Sequence, residues 1–192
     1  MQKTIKTIVF TLLLIVSYNA NAAKNFEVAV AKNQILMVEL NDAQAGDMLT
    51  LLDAEGKVLF KEMNLTSDFQ KQLSLEMVPD GKYFLHLEDE NSIYAREIVK
   101  RKQTITVNEA SKIIFKPTFK EENNQLKVAF TNPNEEIMHL YVYDEKGNIV
   151  TSLKNNDLVI KKTFDFSKVP AGNYMLAVVS SERSFYKSIR TK

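Results

Sequence analysis

From Phe26 onward the chain alternates short apolar, β-branched or aromatic runs with small groups of turn residues. Phe69, Leu73 and Leu75, and later Tyr83, Leu85 and Leu87, are separated by polar or less apolar neighbours. That is the period of two expected of an antiparallel strand with one buried face. The pattern predicts strands over 26–30, 35–40, 48–52, 58–63, 69–75, 82–87 and 93–99, then over 113–119, 126–130, 139–143, 149–153, 159–166, 173–179 and 184–190. No stretch sustains a helical period. Short strands with turn signals at roughly 8 to 12 residue intervals predict an all-β chain built as antiparallel sandwiches.

The strands fall into two copies of one module. Asp53-Ala54-Glu55-Gly56-Lys57-Val58 resembles Asp144-Glu145-Lys146-Gly147-Asn148-Ile149, and Val78-Pro79-Asp80-Gly81-Lys82-Tyr83 resembles Val169-Pro170-Ala171-Gly172-Asn173-Tyr174. Asp144 follows Asp53 by 91 positions, and Val169 follows Val78 by the same 91. A gapless register also aligns Asn33-Gln34-Ile35 with Asn124-Gln125-Leu126, Leu49 with Leu140 and Ile98 with Ile189. Each copy is long enough to be a small autonomous domain. The organisation expected is therefore residues 23–104 and 105–192, each an immunoglobulin-like β-sandwich, joined through the short basic stretch Lys100-Arg101-Lys102-Gln103.

Turn chemistry supports this division. Gly56 and Gly147 close Asp-x-x-Gly turns of the type that places glycine at positive φ and carries a bulge in the next strand. In Val-Pro-x-Gly-x-Tyr, Pro79 and Pro170 preset φ, Gly81 and Gly172 close the turn, and Tyr83 and Tyr174 enter the next strand. This placement is that of a tyrosine corner, in which the phenol satisfies a buried backbone group. These eight residues are assigned structural roles.

Residues 1–22 change the picture of where the protein works. Lys3 and Lys6 precede the nine-residue run Ile8 to Val16, followed by Ala20-Asn21-Ala22, the pattern of a cleaved secretory signal. As helix that run rises only ~14 Å, too little for a hydrocarbon core of about 30 Å. No later segment spans a membrane as a helix. Cleavage removes two lysines and no acid, so 25 basic and 24 acidic residues become 23 and 24. A near-neutral chain lacks the basic footprint of a nucleic-acid binder. Residues 24–104 carry 10 basic and 14 acidic side chains and residues 105–192 carry 13 and 10, a basis for attraction between modules or weak self-association. With no cysteine and two histidines, thiolate chemistry is excluded and metal chemistry has little to work with. The Asn64-Leu65-Thr66 sequon is read as chance.

Candidate chemistry is sparse. His86 and His139 fall at non-equivalent positions of different modules and are read as structural. Glu88-Asp89-Glu90-Asn91 offers oxygen ligands without the ordered spacing of a calcium loop. Glu121-Glu122 and Glu135-Glu136 are adjacent pairs that point to opposite strand faces, which is poor geometry for an acid and a base across a cleft. No catalytic, cofactor-binding or metal residue is assigned, and no cofactor is expected. Two surfaces are candidates for a partner. If Leu140 and Val142 face the core, Tyr141 and Tyr143 form an aromatic strip suited to sugar or protein, although a second sheet or neighbouring module is the favoured cover. Near the C-terminus, Phe185, Tyr186, Lys187 and Arg190 define an edge strand open to pairing.

The runs YVYDEKGNIV (141–150), FDFSKVPAGNYMLAV (164–178) and SFYKSIRTK (184–192) resemble the immunoglobulin-like modules of exported Bacteroidota proteins. These include the C-terminal sorting domains of type IX secretion substrates and small secreted sandwich domains of that phylum. A sorting domain normally opens with a Tyr-Pro-Asn-Pro-like element and follows a larger cargo, whereas Phe115-Lys116-Pro117 and Thr131-Asn132-Pro133-Asn134 match that opening poorly. The expectation is thus a secreted, periplasmic or extracellular, non-enzymatic protein that binds protein or glycan through its sandwich surfaces. Type IX sorting by the C-terminal module is the alternative, and a small hydrolase a further one.

Overall fold

In the computed structural model, which describes residues 25–63, 65–181 and 183–191, every regular element is a strand. Residues 1–24, Asn64, Glu182 and Lys192, and with them the expected secretory signal and sequon asparagine, lie outside the described residues. The first half contains β1 (Asn25–Lys32), β2 (Ile35–Asn41), β3 (Met48–Asp53), β4 (Val58–Met63), β5 (Asp68–Ser74), β6 (Gly81–Glu88) and β7 (Ser92–Arg101). Two further strands follow, β8 (Thr104–Val107) and β9 (Lys112–Phe115). The second half contains β10 (Thr118–Glu122), β11 (Gln125–Thr131), β12 (Met138–Tyr143), β13 (Ile149–Asn155), β14 (Val159–Asp165), β15 (Gly172–Val179) and β16 (Ser184–Thr191).

Both halves have the same topology. In the first, β1-β2-β5 form one sheet and β4-β3-β6-β7 run through the other; in the second, β10-β11-β14 face β13-β12-β15-β16. All pairings are antiparallel. Alternation along the strands produces the cores. Leu36, Val38 and Leu40 of β2 meet Tyr83, Leu85 and Leu87 of β6 in the first sandwich. Leu126, Val128 and Phe130 of β11 meet Tyr174, Leu176 and Val178 of β15 in the second. The two clusters share no residue, so each half buries its own apolar interior.

Two sequence expectations need correction. The gapless register fails at the first strand pair of each copy. Leu36 pairs with Leu73 and Leu126 with Phe164, so β11 follows β2 by 90 positions while β14 follows β5 by 91. A one-residue slip would turn every core side chain of β11 to solvent. The extra residue is instead absorbed in the turn after β11, which carries Asn132, Pro133 and Asn134. The expected boundary between 104 and 105 also falls inside the first sandwich as folded. β8 and β9 both pair with the outer edge of β7, and Ile105 belongs to the first core. The chain leaves that sheet only after Phe115.

At the point of departure, Lys116 donates its backbone N–H to Asn91 O at 2.8 Å and its ammonium pairs with Glu88 at 2.7 Å. A second inter-half contact joins the turn before β16 to the first sandwich, with Arg183 Nη2 2.7 Å from His86 Nδ1.

Separate cores imply separable damage. Leu85 and Leu176 are both fully buried. We expect Leu85→Ala and Leu176→Ala each to destabilise by about 2–5 kcal/mol. Amide hydrogen exchange should show lost protection confined to the half that carries the substitution; equal loss throughout both halves would contradict the separation.

Candidate functional site

The turn residues singled out by sequence occupy two repeated devices. Gly56 and Gly147 adopt φ of +84° and +81°, where other residues are strained, and donate N–H to Asp53 O and Asp144 O at 3.1 and 3.0 Å. The strand register slips by one residue beside each turn: Leu51 and Leu52 pair with Phe60 and Val58, and Val142 and Tyr143 with Thr151 and Ile149, so that Leu59 and Val150 of the following strands are passed over. Tyr83 Oη donates to Pro79 O at 2.5 Å, and Tyr174 Oη to Pro170 O at 2.9 Å. Burial, followed by the nearby Asp53, Asp80 and Glu55 carboxylates, pushes the Tyr83 phenol up, which keeps it a donor. Gly81 and Gly172 differ from the other two glycines: neither has positive φ. A Cβ at Gly81 would meet nothing within 4 Å, and at Gly172 only Glu145 Oε2 at 3.9 Å.

The tyrosine strip lies on the outer face of the second sandwich. Leu140 and Val142 are buried in the core, and His139, Tyr141 and Tyr143 are half-buried on the opposite side of β12. His139 stacks on Tyr141 at 5.8 Å between ring centroids, and Tyr141 packs on Tyr143 at 6.0 Å. Ala177 stands between Tyr141 and Tyr186 in the cross-strand row and is 1% exposed, whereas Tyr186 is 61% exposed. The sheet thus brings together Tyr141, Tyr143 and Tyr186, which the sequence placed on two separate candidate surfaces. Arg190 lies further along β16, beside two clefts.

One cleft, of about 340 Å³, is lined by Asp144, Glu145, Asn173, Met175, Ser188 and Arg190 among others. Its Asp144 carboxylate is engaged by its own turn. Asp144 accepts the Asn148 side-chain amide at 2.9 Å and the backbone N–H groups of Asn148 and Lys146 at 2.8 and 2.9 Å. These bonds hold it below the usual carboxylate range. The second cleft, of about 210 Å³, lies between the β10–β11 turn and the end of β16. Glu122 there is held low by Lys127 and Lys120, and Glu121 pairs with Lys187 at 2.9 Å. Among the described residues, no cluster of three or more His, Asp or Glu side chains is placed to hold a metal. The Glu88–Asn91 turn is closed internally: Asp89 Oδ1 accepts the N–H groups of Asn91 and Ser92 at 2.8 and 2.7 Å.

Sequence reasoning missed two features. The first is an apolar sheet edge: Ile149, Val150 and Leu153 of β13 are 57%, 48% and 39% exposed, and Leu158 and Val159, at the start of the edge strand of the other sheet, are 52% and 50% exposed. Their aliphatic character reads as core in a linear pattern. The second is His86, whose distant partner Arg183 has no local sequence signal.

Both halves are thus immunoglobulin-like β-sandwiches built on the same turn devices, and among the described residues no acid–base pair is assembled. The secretion system C-terminal sorting domain family matches residues 31–101 and again residues 122–192, and the chain belongs to that family. The two matched segments are offset by the same 91 residues as the sequence repeat. No curated protein matches the chain. Among solved structures, a biofilm-associated protein BSP domain is similar at 14% identity over 86% of this chain and 29% of its own, with a TM-score of 0.29. This chain therefore spans under a third of that protein's length. The human OSCAR ligand-binding domain is similar at 8% identity over 88% of this chain and 97% of its own, with a TM-score of 0.26.

The inter-half contact carries a pH dependence. Because Arg183 can only donate, His86 Nδ1 accepts and the ring is neutral with its proton on Nε2. Burial, then the Arg183 charge, lowers the His86 pKa from 6.5 to about 4, against a smaller opposing effect of Glu88. An unfolded chain takes up this proton near 6.5 and the folded chain does not, so stability falls as pH drops from about 6.5 towards 4. Thermal unfolding across that interval should fall more steeply for the native chain than for His86→Gln. A His86 NMR titration with its midpoint at or above 6.5 would contradict this reading.

Proposed function

We propose that this chain is a secreted, non-enzymatic protein in which the C-terminal module acts as a type IX secretion sorting element. The observation that carries the reading is the match of a sorting-domain family to residues 122–192, a segment that folds as a sandwich with its own core. The signal-like residues 1–22 supply the first export step, across the inner membrane, and the module supplies the second, to the cell surface. The first module, matched over residues 31–101, has the same topology, and its contacts through Lys116 and Arg183 make it the neighbour that the sorting module carries. The test is a periplasmic reporter fused ahead of residues 116–192. In a type IX-competent host we expect the reporter at the cell surface, and in a secretion-deficient host we expect it in the periplasm. Retention in the periplasm of both hosts would refute sorting.

The aromatic ladder favours a second, compatible reading. Tyr143, Tyr141 and His139 form a row of contacting, half-buried aromatic rings on the outer face, an amphipathic strip of a chemistry that suits contact with sugar. On this reading the second module recognises glycan at the surface it reaches. Tyr141→Ala, which leaves the core positions Leu140 and Val142 untouched, should weaken retention on a cell-surface polysaccharide column about tenfold. Unchanged retention would remove the ladder from any glycan role.

A further inference from the structure

The two sandwiches differ in one strand. In the first, β8 and β9 run in the same direction along the outer edge of β7, as one interrupted strand. Thr104–Val107 lie opposite Ile98–Arg101, and Lys112–Phe115 lie opposite Ser92–Ala95. In the second, β16 occupies the place of β7, and among the described residues no strand pairs with its outer edge. The backbone groups at that edge can be identified. Glu97 accepts the N–H of Asn108, so Glu97 and, by alternation, Val99 direct their N–H and C=O outward from β7. In the second half, Arg183 O accepts from Ser180 N on the β15 side. Alternation then points the backbone groups of Ser184, Tyr186, Ser188 and Arg190 outward, at the positions equivalent to those of β7.

The side chains of β8 also have a vacant counterpart. Ile105 is 5% exposed in the first core, Val107 packs against that core, and β8 touches β1 across the gap between the two sheets. The equivalent gap of the second sandwich, between β10 and β16, is the 210 Å³ cleft, bordered by Glu121, Glu122, Phe166, Ile189 and Thr191. Ile189 stands where Ile98 meets Val107, and Thr191 where Lys100 meets Ile105. The cleft is therefore the slot that β8 fills in the sister module.

We infer that the outer edge of β16 and the adjoining cleft form an acceptor site for one extended polypeptide strand of a partner protein. The strand it takes has the chemistry of β8: β-branched aliphatic residues two apart that enter the cleft, with small polar residues between them facing solvent. It lies antiparallel to β16. Backbone bonds to Ser188 and Arg190 provide most of the affinity, and the cleft beside Ile189 selects the inward side chains. The site follows from comparing the two halves and stands whether or not the module sorts, so it goes beyond the function proposed above.

The probe is a capped synthetic peptide with the sequence of residues 103–116, added to the full mature chain, residues 23–192. NMR should show saturable shifts of the Ser188 and Arg190 amides. Ser188→Pro removes one outward N–H at an edge, where proline is tolerated, so native melting is expected. That variant should bind the peptide about tenfold more weakly, as loss of one backbone hydrogen bond implies. Ser188→Ala, which keeps the N–H, should bind as the native chain does. The inference is overturned by an absence of saturable shifts at β16, or by equal affinity of the Ser188→Pro and native chains. It is also overturned if sedimentation shows the native chain alone to be a dimer that Ser188→Pro dissolves, since the occupant is then a second copy.

Discussion

A sheet edge is a row of backbone donors and acceptors that the chain must pair, leave to water or offer to another chain. This constraint organises the molecule. Each sandwich solves its interior with apolar residues at every second position, and the halves use largely the same side chains in the same places, with exchanges such as Leu40 for Phe130 and Leu87 for Val178. They part company at the last edge strand. After β7 the chain turns back at Lys102, which has φ of +54°, and lays β8 and β9 along the exposed edge before crossing to the second sandwich. The connection between modules is therefore part of a sheet, which is why it needs no glycine- or proline-rich spacer.

The covered edge changes the residues that face it. Lys100 of β7 is 4% exposed and donates its ammonium to the carbonyls of Glu76 and Val78, at 3.2 and 2.6 Å. At the equivalent place Thr191 accepts from Gly172 N at 2.9 Å and donates to Pro170 O at 3.0 Å. Both residues tie the end of the edge strand to the tyrosine-corner turn, one by a long cation and the other by a short hydroxyl. Likewise Val30 pairs with Leu36 where Glu121 pairs with Leu126. At this place the first sandwich has an apolar residue, 44% exposed, and the second has a carboxylate paired with Lys187 at the border of the open cleft. The two copies share a scaffold and have diverged where one is closed and the other is not.

Much of this was legible in the sequence because it is local. Period-two alternation gave the strands, Asp-x-x-Gly the bulged hairpins, and Val-Pro-x-Gly-x-Tyr the corners, each a matter of a few consecutive residues. The repeat gave the duplication. What escaped depends on tertiary placement. Nothing in Thr104–Val107 says that this strand turns back on β7 and does not open the next module, since its pattern suits either sheet. The single-residue offset between β2 and β11 hides in a turn where no side chain is buried by period. The exposure of Ile149, Val150 and Leu153 follows from β13 standing at the sheet edge, and strand order cannot be read from aliphatic content. The aromatic surface was half legible: Tyr141 and Tyr143 share a face by parity, but their approach to Tyr186 across Ala177 needs the register of three strands.

The account stands or falls on the contrast between the outer edges of β7 and β16. Amide hydrogen exchange of the monomeric full chain measures it directly at two equivalent positions, Val99 opposite Thr106 and Arg190 opposite no strand among the described residues. The Val99 amide should be strongly protected and the Arg190 amide should exchange close to the rate of unstructured peptide. Comparable slow exchange at both would show that the second edge is already covered, and would contradict the account.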